Sequence, residues 1–354
     1  MCNWGDMPPE IKYMIVGKMD YVTRINLKMC SIADKIIVES TPFHIKRLFV
    51  HTLQQPDQIE CCKVTMSDET ERDFLSIQLE EDKVDIQWEA AVRSGTFPTK
   101  EEAIKWQEDF YAKILMDEKM KVERFEVYVN VPEIIAQSDK KIKVKEVDIS
   151  LDSVEETFKW LNALESGIED LTLFGSRSRV LMEGVGLNRL VINAKKLTIE
   201  RMNDMNNEQL MNLKCEQFDM WRPTKPCLFE GQPGVRITTA GIRGLMEKVM
   251  AGDYPIGSYW KIGGIFDLDT LLIGLNHYFM DSHSRVPHLP INNGKKLIIA
   301  WQATGIEITV TAKNAKYEHP FQWAMDEFDC SESELENFDS FVFPPHRDEF
   351  YDTD

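Results

Sequence analysis

Five short segments set the architecture: Phe125-Glu126-Val127, Val147-Asp148-Ile149, Leu171-Thr172-Leu173, Leu197-Thr198-Ile199 and Phe218-Asp219-Met220. Each places an apolar residue on both sides of a polar one, which is the two-residue period of a half-buried strand. From the first apolar position of one to that of the next, the steps are 22, 24, 26 and 21 residues. Leucine-rich-type repeats have periods in this range. Helical patterns fill the gaps: Asp152 with Glu155 reads as a cap opening Val154, Phe158, Leu161 and Leu164. A strand, a helix and a strand make a right-handed crossover unit, and stacked units bury a continuous core. Most strands lack the Asn or Cys that ladders along regular solenoids, Asn203 being the nearest approach. The reading is an irregular, leucine-rich-repeat-like α/β body, with α+β as the alternative.

Upstream, Phe74–Glu81 and Val84–Ala90 alternate around a polar break and read as a hairpin. Thr99 with Glu102 is a capping box opening a helix through Ala103, Ile104, Phe110, Tyr111, Ile114 and Leu115. Trp106 and Trp160 lie on or beside these helices and are expected to be buried. Downstream the pattern predicts a helix over Thr239–Val249, a strand over Tyr259–Ile262 and a helix capped by Asp267 through Leu271, Leu272 and Leu275. Asn276–Gly294, with Pro287, Pro290 and Asn292-Asn293-Gly294, reads as a long loop. Leu297, Ile299 and Trp301, then Ile306, Ile308 and Val310, form a closing hairpin.

The 354 residues suffice for about two domains. Hydrophobic residues make up 43%, so a sizeable core is available. The net charge of −18 argues against a non-specific nucleic-acid binder and against an anionic membrane surface. Met325–Asp354 holds eleven Asp/Glu and one Arg, a net of −10, leaving the body only mildly acidic. That segment, taken as residues 325–354, is expected to be a disordered tail. Ser331 and Ser333, each followed by Glu three residues on, are candidate phosphorylation sites. No apolar run reaches membrane-helix length and no secretory segment opens the chain. Seven cysteines and no glycosylation triplet favour reduced thiols in the cytoplasm or nucleus.

Signals for chemistry are weak. Phe266-Asp267-Leu268-Asp269-Thr270 resembles the start of a haloacid-dehalogenase nucleophile loop, but Thr270 is one residue early and a helix N-terminus explains the acids. A hydrolase using Asp267 and Asp269 is the rival reading. Gly184-Val185-Gly186 and Gly263-Gly264 read as turns. His277, His283 and His288 lack zinc spacing and suggest a surface loop, and of Cys61 and Cys62 one is expected to be buried. Neither a catalytic residue, a metal site nor a cofactor is assigned.

The first fifty residues decide the functional expectation. Pro8 and Pro9 suit a helix start, and Ile11, Ile15 and Met19 follow at four-residue spacing. Val22, Ile25, Cys30 and Ala33 form a second stripe, and Ile36, Ile37 and Val38 a third. Three helices this short cannot bury all these side chains, so some of them should face a partner.

Trp4-Gly5-Asp6-Met7-Pro8-Pro9-Glu10-Ile11, continued by Ile15, Met19, Ile25, Leu27, Cys30 and Ser31, resembles an F-box. Met7 and Met19 stand where that pattern has Leu, and Cys30 where it has Val, each preserving size and polarity. The Trp-x-Asp-Met-Pro opening is similar to the expanded nematode F-box families, whose members carry an FTH-type associated domain. The resemblance covers about residues 3–48 and is looser over 60–315. It implies a substrate-recognition subunit of a cullin-RING, SCF-type ubiquitin ligase. Residues 1–50 would then dock a Skp-family adaptor, and through it a cullin, by way of Met7, Pro8, Glu10, Ile11, Ile15, Met19, Ile25 and Leu27. Residues 58–322 would bind an unidentified target protein. A non-degradative F-box scaffold is a further alternative, and no enzymatic activity of the chain itself is implied.

Overall fold

The computed structural model of the chain describes residues 4–55, 58–67, 73–80, 82–88, 91–151, 153–175, 185–200, 205–220, 237–275, 277–279, 286–302 and 305–315. The expected acidic tail, with Ser331 and Ser333, and His283 lie outside these residues. Met1–Thr311 forms one compact unit, and of a second, Ala312–Asp354, only residues 312–315 are described.

A short 3-10 turn (Trp4–Asp6) leads into three helices, α1 (Pro9–Lys18), α2 (Tyr21–Lys28) and α3 (Ile32–Ser40). The chain then enters a sheet through β1 (Phe43–Gln55), β2 (Gln58–Ser67), β3 (Asp73–Glu80), β4 (Lys83–Trp88) and β5 (Ala91–Thr96), an antiparallel meander. Helix α4 (Lys100–Met116) follows, starting at Thr99, whose hydroxyl accepts the Glu102 N–H at 3.2 Å. The hairpin expected around residue 82 is β3–β4.

Next come β6 (Met120–Val127), α5 (Glu133–Ala136), β7 (Glu146–Leu151), α6 (Val154–Ala163), β8 (Asp170–Gly175), a 3-10 turn (Val185–Leu187), α7 (Arg189–Asn193), β9 (Lys196–Glu200), α8 (Asn207–Asn212), β10 (Gln217–Met220), α9 (Thr239–Ala251) and β11 (Tyr259–Gly263). The five quoted triplets all lie in these strands. Strands β6 to β11 pair in parallel in chain order, and β1 joins them in parallel beside β6. The chain closes with α10 (Leu268–Leu272), β12 (Tyr278–Phe279), β13 (Pro287–Pro290), β14 (Lys295–Gln302) and β15 (Gly305–Ala312).

All fifteen strands belong to one sheet, in the order β12-β13-β14-β15-β11-β10-β9-β8-β7-β6-β1-β2-β3-β4-β5. The protein is therefore mixed α/β, with a parallel centre and antiparallel flanks. Three expectations need correction. The closing hairpin is no separate unit: β15 pairs antiparallel with β11, and β13 and β12 extend the sheet beyond β14. The loop expected over Asn276–Gly294 contains these two short strands, with Pro287 and Pro290 at opposite ends of β13, close to the sheet edge where proline is tolerated. The cap of α6 is Ser153, whose hydroxyl accepts from the Glu156 N–H at 3.3 Å, one residue beyond Asp152.

One face of the strands packs on the helices. Phe125, Leu171, Leu197, Phe218 and Ile262 are fully buried there, continuous with Trp160, Leu161, Leu210 and Leu245 from the crossovers. The polar middle residues of the triplets alternate to the other side, where Glu126 and Asp148 pair sideways. Glu126 accepts from Arg47 at 2.5 Å and Arg124 at 2.8 Å, Arg124 reaches Asp148 at 2.6 Å, and Lys196 meets Asp170 at 2.5 Å. Opposite charges across neighbouring strands thus offset the cost of nearly burying Glu126 and Asp148.

At Thr238, the N-cap of α9, the backbone N–H donates to Asn207 Oδ1 and the hydroxyl accepts from Asn207 Nδ2, both at 2.9 Å. A Cβ at Gly241 would sit 2.0 Å from Asn207 Oδ1 and 2.5 Å from its Cγ. Gly241→Ala must therefore push Asn207 out of its bonds, and is expected to lower unfolding free energy by roughly 1–3 kcal/mol. Urea denaturation of the variant measures this.

Candidate functional site

Trp4 is tied to the helices by its indole N–H, which donates to Asp34 Oδ1 at 2.7 Å. Asp34 also accepts from the Ser31 hydroxyl, while Ser31 caps α3 by accepting the Asp34 N–H. These bonds from Trp4 and Ser31 hold the Asp34 carboxyl below the usual carboxylate range. Asp20 caps α2, accepting from Thr23 N–H and Oγ1–H at 2.7 and 2.6 Å. Arg24 is buried: its guanidinium donates to the carbonyls of Thr41 and Pro42 at 3.1 and 3.0 Å and lies 4.8 Å from the Phe43 ring centroid. It fastens α2 to the start of β1, so the segment expected as a 1–50 module runs directly into the sheet.

Within this frame Pro8 is the exposed N-cap residue of α1, with Pro9 at the first helical position, and Glu10 is exposed in the first turn. Ile11 is 42% exposed and Ile25 39%. Met7, Ile15, Met19 and Leu27 are half-buried. The apolar stripe read from Ile11, Ile15 and Met19 does not close on a core; the fully buried residue of α1 is Val16.

Larger exposed side chains stand beside these. Met14 is 69% exposed, Met29 74%, Ile32 80% and Ile36 56%. Ile25 lies on α2 one turn before its C-cap residue Met29, and Ile32 and Ile36 share one face of α3. Of the fifteen large hydrophobic residues exposed among the described residues, seven fall between Ile11 and Ile36. Sequence reasoning passed over Met14, Met29 and Ile32, and named Ile36 only as part of the third apolar stripe. The available signal was surplus: Ile36-Ile37-Val38 offers three apolar residues where a short helix buries one, Ile37.

The chemical candidates are placed as follows. Asp267 is the N-cap of α10, and its carboxylate accepts from the Asp269 N–H at 3.1 Å and from the Thr270 hydroxyl. Those bonds, the Thr270 hydroxyl foremost, hold it below the usual carboxylate range, as a helix cap requires. Gly263 ends β11 and Gly264 has φ +149°, a turn that glycine suits. Gly184 lies outside the described residues. His277 is exposed, whereas His288 is buried in β13 and is not on a surface loop. Cys61 and Cys62 lie in β2 with their side chains outside the described set. Burial pushes the Cys215 thiol up to about 12. Trp160 is buried and Trp106 half-buried, in a stack with Phe110. Among the described residues no three His, Cys, Asp or Glu side chains group as metal ligands, and no helix is long and apolar enough to cross a membrane.

Burial, with the nearby charges of Lys63 and Arg47, pulls the His51 imidazole down to about 4, and burial lowers His288 beside Lys296 as well. In the unfolded chain these rings titrate near 6.5. At His51, between pH 6.5 and about 4, the unfolded state therefore binds a proton that the native state does not, so the ring's contribution is full above that window and falls as pH drops through it. For His51, after discounting its solvent-facing part, the loss is about 1–2 kcal/mol. Urea midpoints of His51→Gln measured at pH 7, 6 and 5 should decline less steeply than those of the parent.

Comparison with models of protein families, with curated proteins and with solved structures finds no match to this chain.

Proposed function

We propose that this chain is the substrate-recognition subunit of a cullin-RING, SCF-type ubiquitin ligase, in which α1–α3 dock a Skp-family adaptor and the sheet-based body binds a target protein. The observation that carries the reading is the apolar surface of the three helices. Seven large hydrophobic side chains are 39–80% exposed within 26 residues, on helices whose buried apolar side chains among the described residues are Val16 and Ile37. Clustering this many exposed apolar side chains on three short helices is unusual for a free surface, and short amphipathic helices commonly bury theirs in a partner. The Pro8-Pro9-Glu10-Ile11 start, which resembles an F-box, lies at one end of that surface.

On this reading the body is an irregular, leucine-rich-repeat-like platform of the FTH kind. The parallel strands β6–β10, added in chain order at steps of 21 to 26 residues, support it. Ubiquitin transfer belongs to other subunits. The chain contributes proximity, raising the effective concentration of a bound target near the transfer machinery.

Co-expression with a Skp-family adaptor, affinity capture and size-exclusion chromatography test the proposal. A stoichiometric complex is expected. A well-folded free monomer in the presence of excess adaptor would overturn it.

A further inference from the structure

At the edge where the parallel strands begin, α4 runs into β6 and the loop before β7 passes beside the end of α6. A groove of about 770 Å³ opens there, lined by Lys121, Lys140, Lys141, Lys143 and Lys145 above buried Leu115 and Val122. A neighbouring groove of about 300 Å³ shares Asp117 and Met120 with it and adds Arg24, Lys28, Lys113 and Lys119. Together they hold nine cationic side chains against four carboxylates, Glu39, Asp117, Glu118 and Glu165, in a chain whose net charge is −18.

The lysines stand on a fixed backbone. Ile142 is buried and bridges to Leu164, with Ile142 N–H donating to Ala163 O and Glu165 N–H donating to Ile142 O, both at 2.9 Å. Lys145 N–H donates to Glu123 O at 3.1 Å. With Ile142 buried and Val144 half-buried, Lys141, Lys143 and Lys145 are left exposed at alternate positions.

In the smaller groove Arg24 is bonded to backbone carbonyls and Lys28 is paired with Glu39 at 2.7 Å, whereas the lysines of the larger groove are engaged more weakly. The Lys141 ammonium donates to Asn162 O at 2.6 Å near the C-terminal end of α6, where a cation is favoured. Lys143 and Lys145 reach Glu165 and Glu123 only loosely, at 3.6 and 3.7 Å, and remain well exposed. The ammonium groups of Lys121 and Lys140 make no ion pair or hydrogen bond with the described residues.

We propose that this groove is a docking site for an Asp/Glu-rich peptide segment of another protein. Charge complementarity selects an acidic occupant from a body that otherwise repels one. The cations that line the larger groove are all lysines, point charges on flexible stems; none is an arginine, whose planar fork suits a single phosphate. A spread of carboxylates along an extended segment matches five separated ammonium groups. The site is independent of whether α1–α3 dock an adaptor.

The test is fluorescence anisotropy on the full chain at about 50 mM salt. The probe is a labelled dodecapeptide of alternating Glu and Gly. Comparison probes are a Gly/Ser peptide carrying one phosphoserine and a single-stranded oligothymidylate of equal charge. Saturable binding of the Glu peptide, weakened by added salt, is expected. Lys121→Glu/Lys140→Glu/Lys143→Glu should weaken it roughly tenfold or more, and the matching Lys→Gln triple should weaken it less. Lys18→Glu/Lys35→Glu/Lys105→Glu, the same charge change elsewhere, should stay within about twofold. Absence of saturable binding, equal loss in both Glu triples, or tighter binding of either comparison probe would overturn the proposal. If the groove's Glu triple does not fold, unchanged binding by the Gln triple would overturn it as well.

Discussion

Trp160→Ala is expected to lower the free energy of unfolding by about 3–5 kcal/mol. The indole of Trp160 is fully buried between α6 and the sheet. It meets the Phe125 ring edge-on at 5.2 Å, and its N–H donates to the Val129 carbonyl at 2.9 Å. Truncation therefore leaves a cavity under β6 and strips a carbonyl of its donor. Trp160→Phe keeps most of the ring contact but not the hydrogen bond, and should cost about 1–3 kcal/mol. Urea denaturation of the two variants separates the packing loss from the polar one. A loss under about 1 kcal/mol for the alanine variant would mean that α6 does not anchor the sheet.

Pro8→Ser combined with Ile11→Asp is expected to abolish co-elution with a Skp-family adaptor while leaving the body folded. Pro8 presets the backbone ahead of α1, and its carbonyl accepts from the N–H groups of Ile11 and Lys12, both at 3.1 Å. Ile11 stands half in solvent in the isolated chain, so an aspartate there costs the monomer little. In a docked complex the same carboxylate would be trapped against apolar surface without a partner, a penalty of several kcal/mol. Affinity should fall roughly a hundredfold or more. An unchanged thermal midpoint alongside lost co-elution is the expected pair of results, and normal co-elution would refute the docking surface.

Much of the sheet was legible because it obeys local rules. The five triplets mark strands by alternation, and Thr99 and Asp267 mark helix starts by capping. What escaped notice breaks a local rule for a tertiary reason. In β1 the inward positions are Phe43 and Ile45, then Leu48 and Val50, with Lys46 and Arg47 together between them. Its neighbour β6 makes the same change of phase, from Val122 to Phe125. A strict two-residue period therefore fails on the strand that joins the meander to the parallel block. Arg24 was not readable as buried, since the Thr41 and Pro42 carbonyls it bonds lie beyond α3, nor was His288, whose strand β13 was read as a loop. The proposed docking surface was legible in part. Ile11 and Ile25 belong to the motif and Ile36 to the third apolar stripe, whereas Met14, Met29 and Ile32 emerge only once the helices are seen to leave them uncovered.

The sheet order also constrains how the chain can be assembled as it leaves the ribosome. Once β1 is seated between β2 and β6, each later strand through β11 joins the growing edge directly after its predecessor. This part of the protein can form vectorially, one crossover at a time, with little waiting for distant sequence. The last stretch inverts that order. Strand β15 is made after β12, β13 and β14, yet it alone of the four touches β11. Until β15 emerges, β11 presents an open edge of the kind that invites pairing with another chain. Nascent chains arrested shortly before Gly305 should therefore be the aggregation-prone intermediates, and chains a few tens of residues longer should not.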